Sequence, residues 1–289
     1  MRRSAREVFD YALAECNISR AFARNLAYAQ GTLSAAQHRY ELHAFSRMAV
    51  VSIGKAGHSM AAALFQIIPE PLTGIVSCPV RPESPVPGLE YFVGGHPLPN
   101  EDSLSAGAAI LQILRIQPEN TLVLFLLSGG ASAMAEQPFY PALTLSDIVE
   151  TNRALVHSGA PIAEINAIRK HLSAIKGGRM AQAAWPSTQL SLLVSDVPDH
   201  ALDALASGPT MPDNSTVADC HDIANRYQLE QRFPERVRLI FQRRQLQETR
   251  AVAVLQQIAS PEARRILEDL AAGDPQAPLT KAAREGLAK

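Results

Sequence analysis

Four short segments carry residues suited to phosphate or carboxylate chemistry, and each follows an apolar run: Gly54-Lys55, Gly94-Gly95-His96, Ser128-Gly129-Gly130 and Ser195-Asp196. Lys55 directly follows "VVSIG", where a long cation reaches a phosphate or carboxylate. A cation at a helix start opposes the helix dipole, which argues for a functional role over a solvated surface one. In "LLSGGASAM" nothing bulky stands between Leu127 and Met134. Glycine lets the backbone approach a ligand closely, and a following helix would offer free N–H groups to an anion. The same pattern also serves a tight strand-to-helix turn with small residues for packing. No GxxxxGK[ST] is present, so the segment is not a P-loop. Asp196 stands one residue past an apolar run, a common position for a metal-binding or proton-accepting carboxylate. Asp199 is a second candidate for Mg²⁺, with His200 beside it. His96 is placed to donate to a substrate oxygen, or it is structural before Pro97.

A fifth segment is "EINAIRKHLSAIKGGRMA". On a helix, Asn166 shares a face with Arg169 and Lys170, three and four residues on. Lys176 and Arg179 flank Gly177-Gly178, and with His171 five basic groups fall in eleven residues. The loop "ASGPTMPDNST" (206–216) adds hydroxyls that line a pocket or cross the surface.

The elements that must position these residues follow from apolar patterning. "RMAVVSIG" ending in Gly54, "TGIVSCPV", "LEYFVGGHPLPN" closing on Gly94-Gly95, "TLVLFLL" and "QLSLLVSDVP" read as strands, continuously apolar rather than alternating. "KAGHSMAAALFQII", "EDSLSAGAAILQIL" with Asn100 as N-cap, "LSDIVETNRALVHSG" and "IAEINAIRKHLSAI" read as helices. Gly159 ends the third of these helices and Gly177-Gly178 the fourth. Residues 4–30 also read as helix. Strands alternating with helices predict an α/β fold with a mostly parallel sheet covered on both faces. Ligands in such sheets bind beyond the carboxyl ends of the strands, so the four polar endings should meet at one edge. The α/β domain is expected over residues 1–245. A helical tail is expected over 248–289, with helices near 249–258, 260–271 and 279–288.

Composition narrows the function classes. Of 289 residues 47% are hydrophobic and 19% charged, which suits a globular protein with a sizeable core. With a net charge of −1, no overall basic character points to nucleic acid or an anionic membrane. No apolar run approaches the roughly 20 residues that span a bilayer. Cys16, Cys78 and Cys220 are odd in number and form no CxxC, so a cytoplasmic location is expected.

Six stretches, "VSIGKAG", "GGHPLPNEDSLSAG", "LLSGGASA", "INAIRKHLSAIKGGRMA", "LLVSDVP" and "ASGPTMPD", together resemble the class II glycerate kinases, in that family's order and over roughly residues 1–240. The resemblance implies a Rossmann-like three-layer α/β/α sandwich and ATP-dependent phosphorylation of D-glycerate to 2-phosphoglycerate, with Mg²⁺. Some members carry the older label hydroxypyruvate reductase, but no GxGxxG with a following acid supports dinucleotide binding here. On this resemblance Lys55, Arg169 and Asp196 are the catalytic candidates, with Asp196 also the metal ligand. Ser128, Gly129, Gly130, Asn166, Lys176, Gly177 and His96 are the substrate- and nucleotide-binding candidates. Lys55, Arg169 and Lys176 would offset phosphate or carboxylate charge. The sequence departs from the family where "SDVPGDD" is usual: it reads "SDVPDHA", with His200 and Ala201 in place of acids. The tail resembles short helical repeats rather than the C-terminal MOFRL domain of full-length members. The alternative expectation is therefore a ligand-binding or interaction module without turnover. An exposed cleft wall would favour self-association.

Overall fold

The computed structural model describes residues 2–195, 199–258, 260–273 and 278–287. In chain order these form α1 (Arg2–Glu15), α2 (Ile18–Asn25), β1 (Leu26–Ala29), β2 (Thr32–Ala35), β3 (His38–Glu41), β4 (Arg47–Ile53), α3 (Gly57–Ile67) and β5 (Thr73–Cys78). There follow β6 (Leu89–Val93), α4 (Glu101–Arg115), β7 (Thr121–Ser128), α5 (Ala131–Met134), α6 (Leu145–Val156), α7 (Ile162–Leu172), α8 (Arg179–Ala184) and β8 (Thr188–Val194). A 3₁₀ segment (Asp199–Ser207) leads to α9 (Val217–Arg226), α10 (Glu235–Ile258), α11 (Pro261–Ala271) and α12 (Pro278–Leu287).

The chain divides into two compact units, Met1–Phe139 with Ser173–Asp213, and Tyr140–Leu172 with Asn214–Lys289. This division does not follow the expected boundary near residue 245. Helices α6, α7 and α9 leave the α/β unit and group with the tail, because their apolar faces bury one another.

The first unit is built on a five-stranded parallel sheet in the order β6-β5-β4-β7-β8. Both faces are covered, as the unbroken apolar runs predict. Met48, Val50, Val76, Leu122, Leu124 and Leu126 face a core shared with α2, α3 and the N-terminal strands. The intervening Ala49, Val51, Ile53, Ile75, Val123, Phe125 and Leu127 face a core closed by α4, α5 and α8. All eight residues of β7 are buried. Each large apolar side chain so placed contributes about 1.5–3 kcal/mol. The expected α/β fold class with a mostly parallel sheet is borne out.

The second unit is helical. Leu155, Ile168, Ala224, Leu229 and Val237 centre a core formed by α6, α7, α9 and the first half of α10. Val252, Leu267 and Ala283 join α10 to α11 and α12. Ser260 caps α11, its Oγ accepting from Ala263 N–H at 3.1 Å, with Pro261 in the first helical position. The helix expected near 249–258 is the end of a longer one beginning at Glu235. None of the described helices is long and apolar enough to cross a membrane.

Two further expectations are corrected. Residues 4–30 are not all helical: α2 ends at Asn25, and β1, β2 and β3 form a small antiparallel sheet. These strands have four residues each, and β3 ("HRYE") is mostly exposed, so neither length nor apolar alternation signals them. The first turn is carried by positive φ at Gln30 and Gly31, the geometry that suits a two-residue hairpin. Helix α7 stops at Leu172 rather than at the glycine pair, and Ser173 instead bridges to Pro138.

Helix α4 begins as its sequence predicts. Asn100 Oδ1 accepts from Ser103 N–H at 2.8 Å, and Ser103 Oγ accepts from Asn100 N–H at 3.1 Å. The same two side-chain oxygens accept from Gly95 N–H, while Asn100 Nδ2 donates to Val93 O at 3.0 Å. One capping box thus fixes both the helix start and the connection from β6. Replacing Asn100 with Ala should cost about 1–2 kcal/mol, read as a lowered urea midpoint at unchanged slope.

Candidate functional site

The strand order sets where the site lies. From β4 the chain steps outward through β5 to β6, then crosses back to β7 on the other side of β4. The order therefore reverses between β4 and β7, and an open α/β sheet presents its ligand crevice at such a point. The register pairs Ile53 with Leu127, so the two strands end side by side, with Gly54-Lys55 next to Ser128-Gly129-Gly130.

The two loops are bonded to each other. Lys55 N–H donates to Gly129 O at 2.9 Å, and Ala56 N–H donates to Ser128 Oγ at 3.0 Å. A side chain at Gly54, whose φ is +124°, would collide with Ser128, so only glycine permits this approach. Ser128 is itself buried and its hydroxyl is engaged in the loop contact. The expected helix after Gly130 is a single turn, α5. That is too short to present the dipole the anion argument assumed, so what the loop offers is close backbone approach.

His96 comes to the same place from the end of β6. A Cβ built on Gly130 would lie 3.3 Å from His96 Nδ1 and 3.3 Å from Lys55 Cγ, so the two side chains flank this glycine. Both residues are exposed. Among the described residues neither the His96 ring nor the Lys55 ammonium has a hydrogen-bond or ion-pair partner. Loss of water around the ring, and second the nearby Lys55 charge, hold the His96 imidazole below its ordinary range. A neutral imidazole beside an open cation can bind an anion and accept a proton at neutral pH.

Lys176 is placed differently. It is buried, and its ammonium is bonded to Glu136, a carboxylate that also accepts from Ser173 Oγ at 2.6 Å and from Gln137 N–H at 2.9 Å. Its charge is balanced inside the first unit. Gly177 N–H donates to Ser207 O at 3.1 Å, and Gly178 N–H donates to Gly208 O at 2.8 Å. This strap holds a turn in which Ala206, Ser207 and Gly208 all have positive φ. Ser207 Oγ lies 3.0 Å from Ser132 Oγ, beside the Gly130 loop. Lys176 and Gly177 therefore support the loops near the site.

Asn166 and Arg169 belong to the second unit. Asn166 is buried on α7, and Arg169 Nε donates to Asn152 Oδ1 at 2.6 Å, linking α7 to α6. Asp196 lies outside the described residues; of the expected cluster, the structure brings together Lys55, His96, Ser128, Gly129 and Gly130.

A family described as a domain of unknown function, DUF4147, matches residues 4–242. The chain belongs to the DUF4147 family. It is similar to the D-glycerate 2-kinase of Thermotoga maritima, 38% identical over 186 residues that make up 64% of this chain and 44% of that protein. A solved structure of glycerate kinase from Thermotoga maritima superposes with a TM-score of 0.69 at 32% identity, covering 82% of this chain and 54% of that one. A Pyrococcus horikoshii protein of known structure superposes with a TM-score of 0.75 at 31% identity, covering 84% of this chain and 54% of that one. The resemblance to glycerate kinases read from the six motifs is thus borne out. The chain spans 44% of the length of the first of these relatives.

Glu136 is the residue of this DUF4147 chain that sequence reading missed. The signal was a lone acid inside the apolar stretch "ASAMAEQPF", since a buried carboxylate requires a charged or hydrogen-bonding partner. Its partner stands 40 positions on. Glu136→Gln should destabilise the chain by about 3–5 kcal/mol in chemical denaturation, because the Lys176 charge stays buried without its counter-ion. The double replacement Glu136→Leu with Lys176→Met should recover much of that loss, since it removes both charges.

Proposed function

We propose that this chain takes part in ATP-dependent phosphorylation of D-glycerate to 2-phosphoglycerate. The observation that carries this reading is the open pair Lys55 and His96 at the switch point of the sheet, in a chain similar to proteins named D-glycerate 2-kinase and glycerate kinase. Phosphoryl transfer asks a protein mainly to position its reactants and to offset their charge. The Lys55 ammonium offsets the charge of the transferring phosphoryl group or of the glycerate carboxylate. The backbone at Gly129-Gly130 lets the anion approach closely. Lys176, Gly177 and Ser128 act by holding the loops.

Mg²⁺ is the proposed metal, with Asp196 as its carboxylate. The described residues contain no grouping of three or more His, Cys, Asp or Glu able to hold a metal. A single carboxylate suits Mg²⁺, which is commonly held by one or two carboxylates together with the nucleotide's phosphates. When bound it would neutralise phosphate charge. Cys16, Cys78 and Cys220 are all free thiols, which suits a reducing cytoplasmic compartment.

Isothermal titration gives the test. Mg·ATP and D-glycerate should each bind, and Lys55→Met should weaken one or both by about tenfold or more, the loss of roughly one charge-assisted hydrogen bond. Absence of binding of either compound by the unaltered chain would overturn the reading.

A further inference from the structure

The reading above leaves open which group accepts the proton of the substrate hydroxyl. We infer that His96 is that group: a catalytic base set beside Lys55, with Asp196 left to the metal. The inference rests on the kinase reading and assigns it a second reacting residue.

Three observations carry it. First, position: His96 Nδ1 and the Lys55 stem both lie against Gly130, at the reversal of strand order. On the kinase reading Lys55 engages an anionic group there, which puts the imidazole beside that group. Second, availability: among the described residues neither ring nitrogen makes a hydrogen bond. Elsewhere His58 Nδ1 meets Tyr91 Oη at 3.0 Å, His157 Nδ1 meets Arg153 O at 2.8 Å and His171 Nδ1 meets Ala167 O at 2.9 Å. Third, support: the segment carrying His96 is held by bonds that involve only its flanks. Gly95 N–H donates to Asn100 Oδ1 at 3.1 Å and to Ser103 Oγ at 2.9 Å, and Val93 N–H donates to Asp102 Oδ2 at 3.1 Å. A side chain held on a fixed platform with its reactive atoms unspent suits a group that must meet substrate.

The charges around the ring agree with a proton acceptor. Lys55, from the loop after β4, disfavours the imidazolium. The Ser128–Ser132 loop, which packs on its other side, contributes no ionisable group. In its own segment Glu101 and Asp102 open α4, with Asp102 turned to Val93 N–H. The ring is therefore neutral at neutral pH and able to take a proton.

The 2-hydroxyl oxygen of D-glycerate attacks the γ-phosphorus of ATP. The bond from that phosphorus to the bridging oxygen breaks, and its electron pair leaves on ADP. The hydroxyl proton passes to an imidazole nitrogen, and the imidazolium returns it to water.

The experiment is a pH series of ADP release by the unaltered chain with Mg·ATP and D-glycerate, beside His96→Gln and His96→Asn. The ring proton resonance of His96 is followed by NMR in the same samples. For the unaltered chain, kcat should fall through a single ionisation below the ordinary imidazole range, matching the NMR titration of His96. Each variant should lose about 10²–10⁴-fold in kcat with KM nearly unchanged, and its acid limb should vanish. Lys55→Met should move the NMR titration to higher pH, because the cation that disfavours the imidazolium is gone. A variant that keeps the rate and acid limb of the unaltered chain, or that loses only in KM, would overturn the inference and leave the kinase reading standing. No ADP release by the unaltered chain would overturn both.

Discussion

The site depends on one constraint: strands β4 and β7 end side by side, and the loops beyond them are bonded to each other. The contacts Lys55 N–H to Gly129 O and Ala56 N–H to Ser128 Oγ span the point where strand order reverses. They tie the two loops together through backbone groups and the Ser128 hydroxyl, without using the Lys55 ammonium. Gly54 makes the approach sterically possible, and Gly130 leaves room for Lys55 and His96 to stand on either side of it. Without the reversal, these loops would lie on strands separated in the sheet.

Burial decides which cations can meet a ligand. Five basic groups cluster between Arg169 and Arg179, which makes that segment look like the anion site. The fold uses several of them internally, and Lys170 is buried on α7. Lys176 is neutralised by Glu136 in the interior, and Arg169 Nε is directed to Asn152. A charge taken from water demands such partners, whereas an exposed one does not. Lys55 is exposed and has no ion-pair partner among the described residues, so its charge is available to an anion. Density of basic residues along a sequence is thus a poorer guide than where each lies relative to the sheet edge.

Much of this was legible in the sequence, for physical reasons. Strands buried on both faces must be continuously apolar, and β4, β5 and β7 are. The caps of α4 and α11 rest on side chains next to the backbone groups they satisfy, so Asn100 and Ser260 could be read directly. The convergence of Lys55, His96 and the Gly129-Gly130 turn followed from the rule on strand ends. What escaped depended on tertiary contact. The N-terminal antiparallel strands are too short to show a period. Glu136 and Lys176 are distant in sequence and meet only in the fold. The grouping of α6 and α7 with α9 and α10 depends on apolar residues, such as Ile168, Ile223 and Val237 in one core, that no local pattern links. The polar residues of "LLSGGASAM" suggested a ligand cradle, yet the hydroxyl of Ser128 serves the neighbouring loop.

The central claim is that small acidic molecules are held at the reversal of strand order by Lys55, His96 and the Gly129-Gly130 backbone. Mapping amide and side-chain NMR shifts during titration with D-glycerate and Mg·ATP tests it most directly. The largest changes are expected at Lys55, His96, Gly129 and Gly130. Silence at these four positions, with saturable changes elsewhere in the chain, would contradict it.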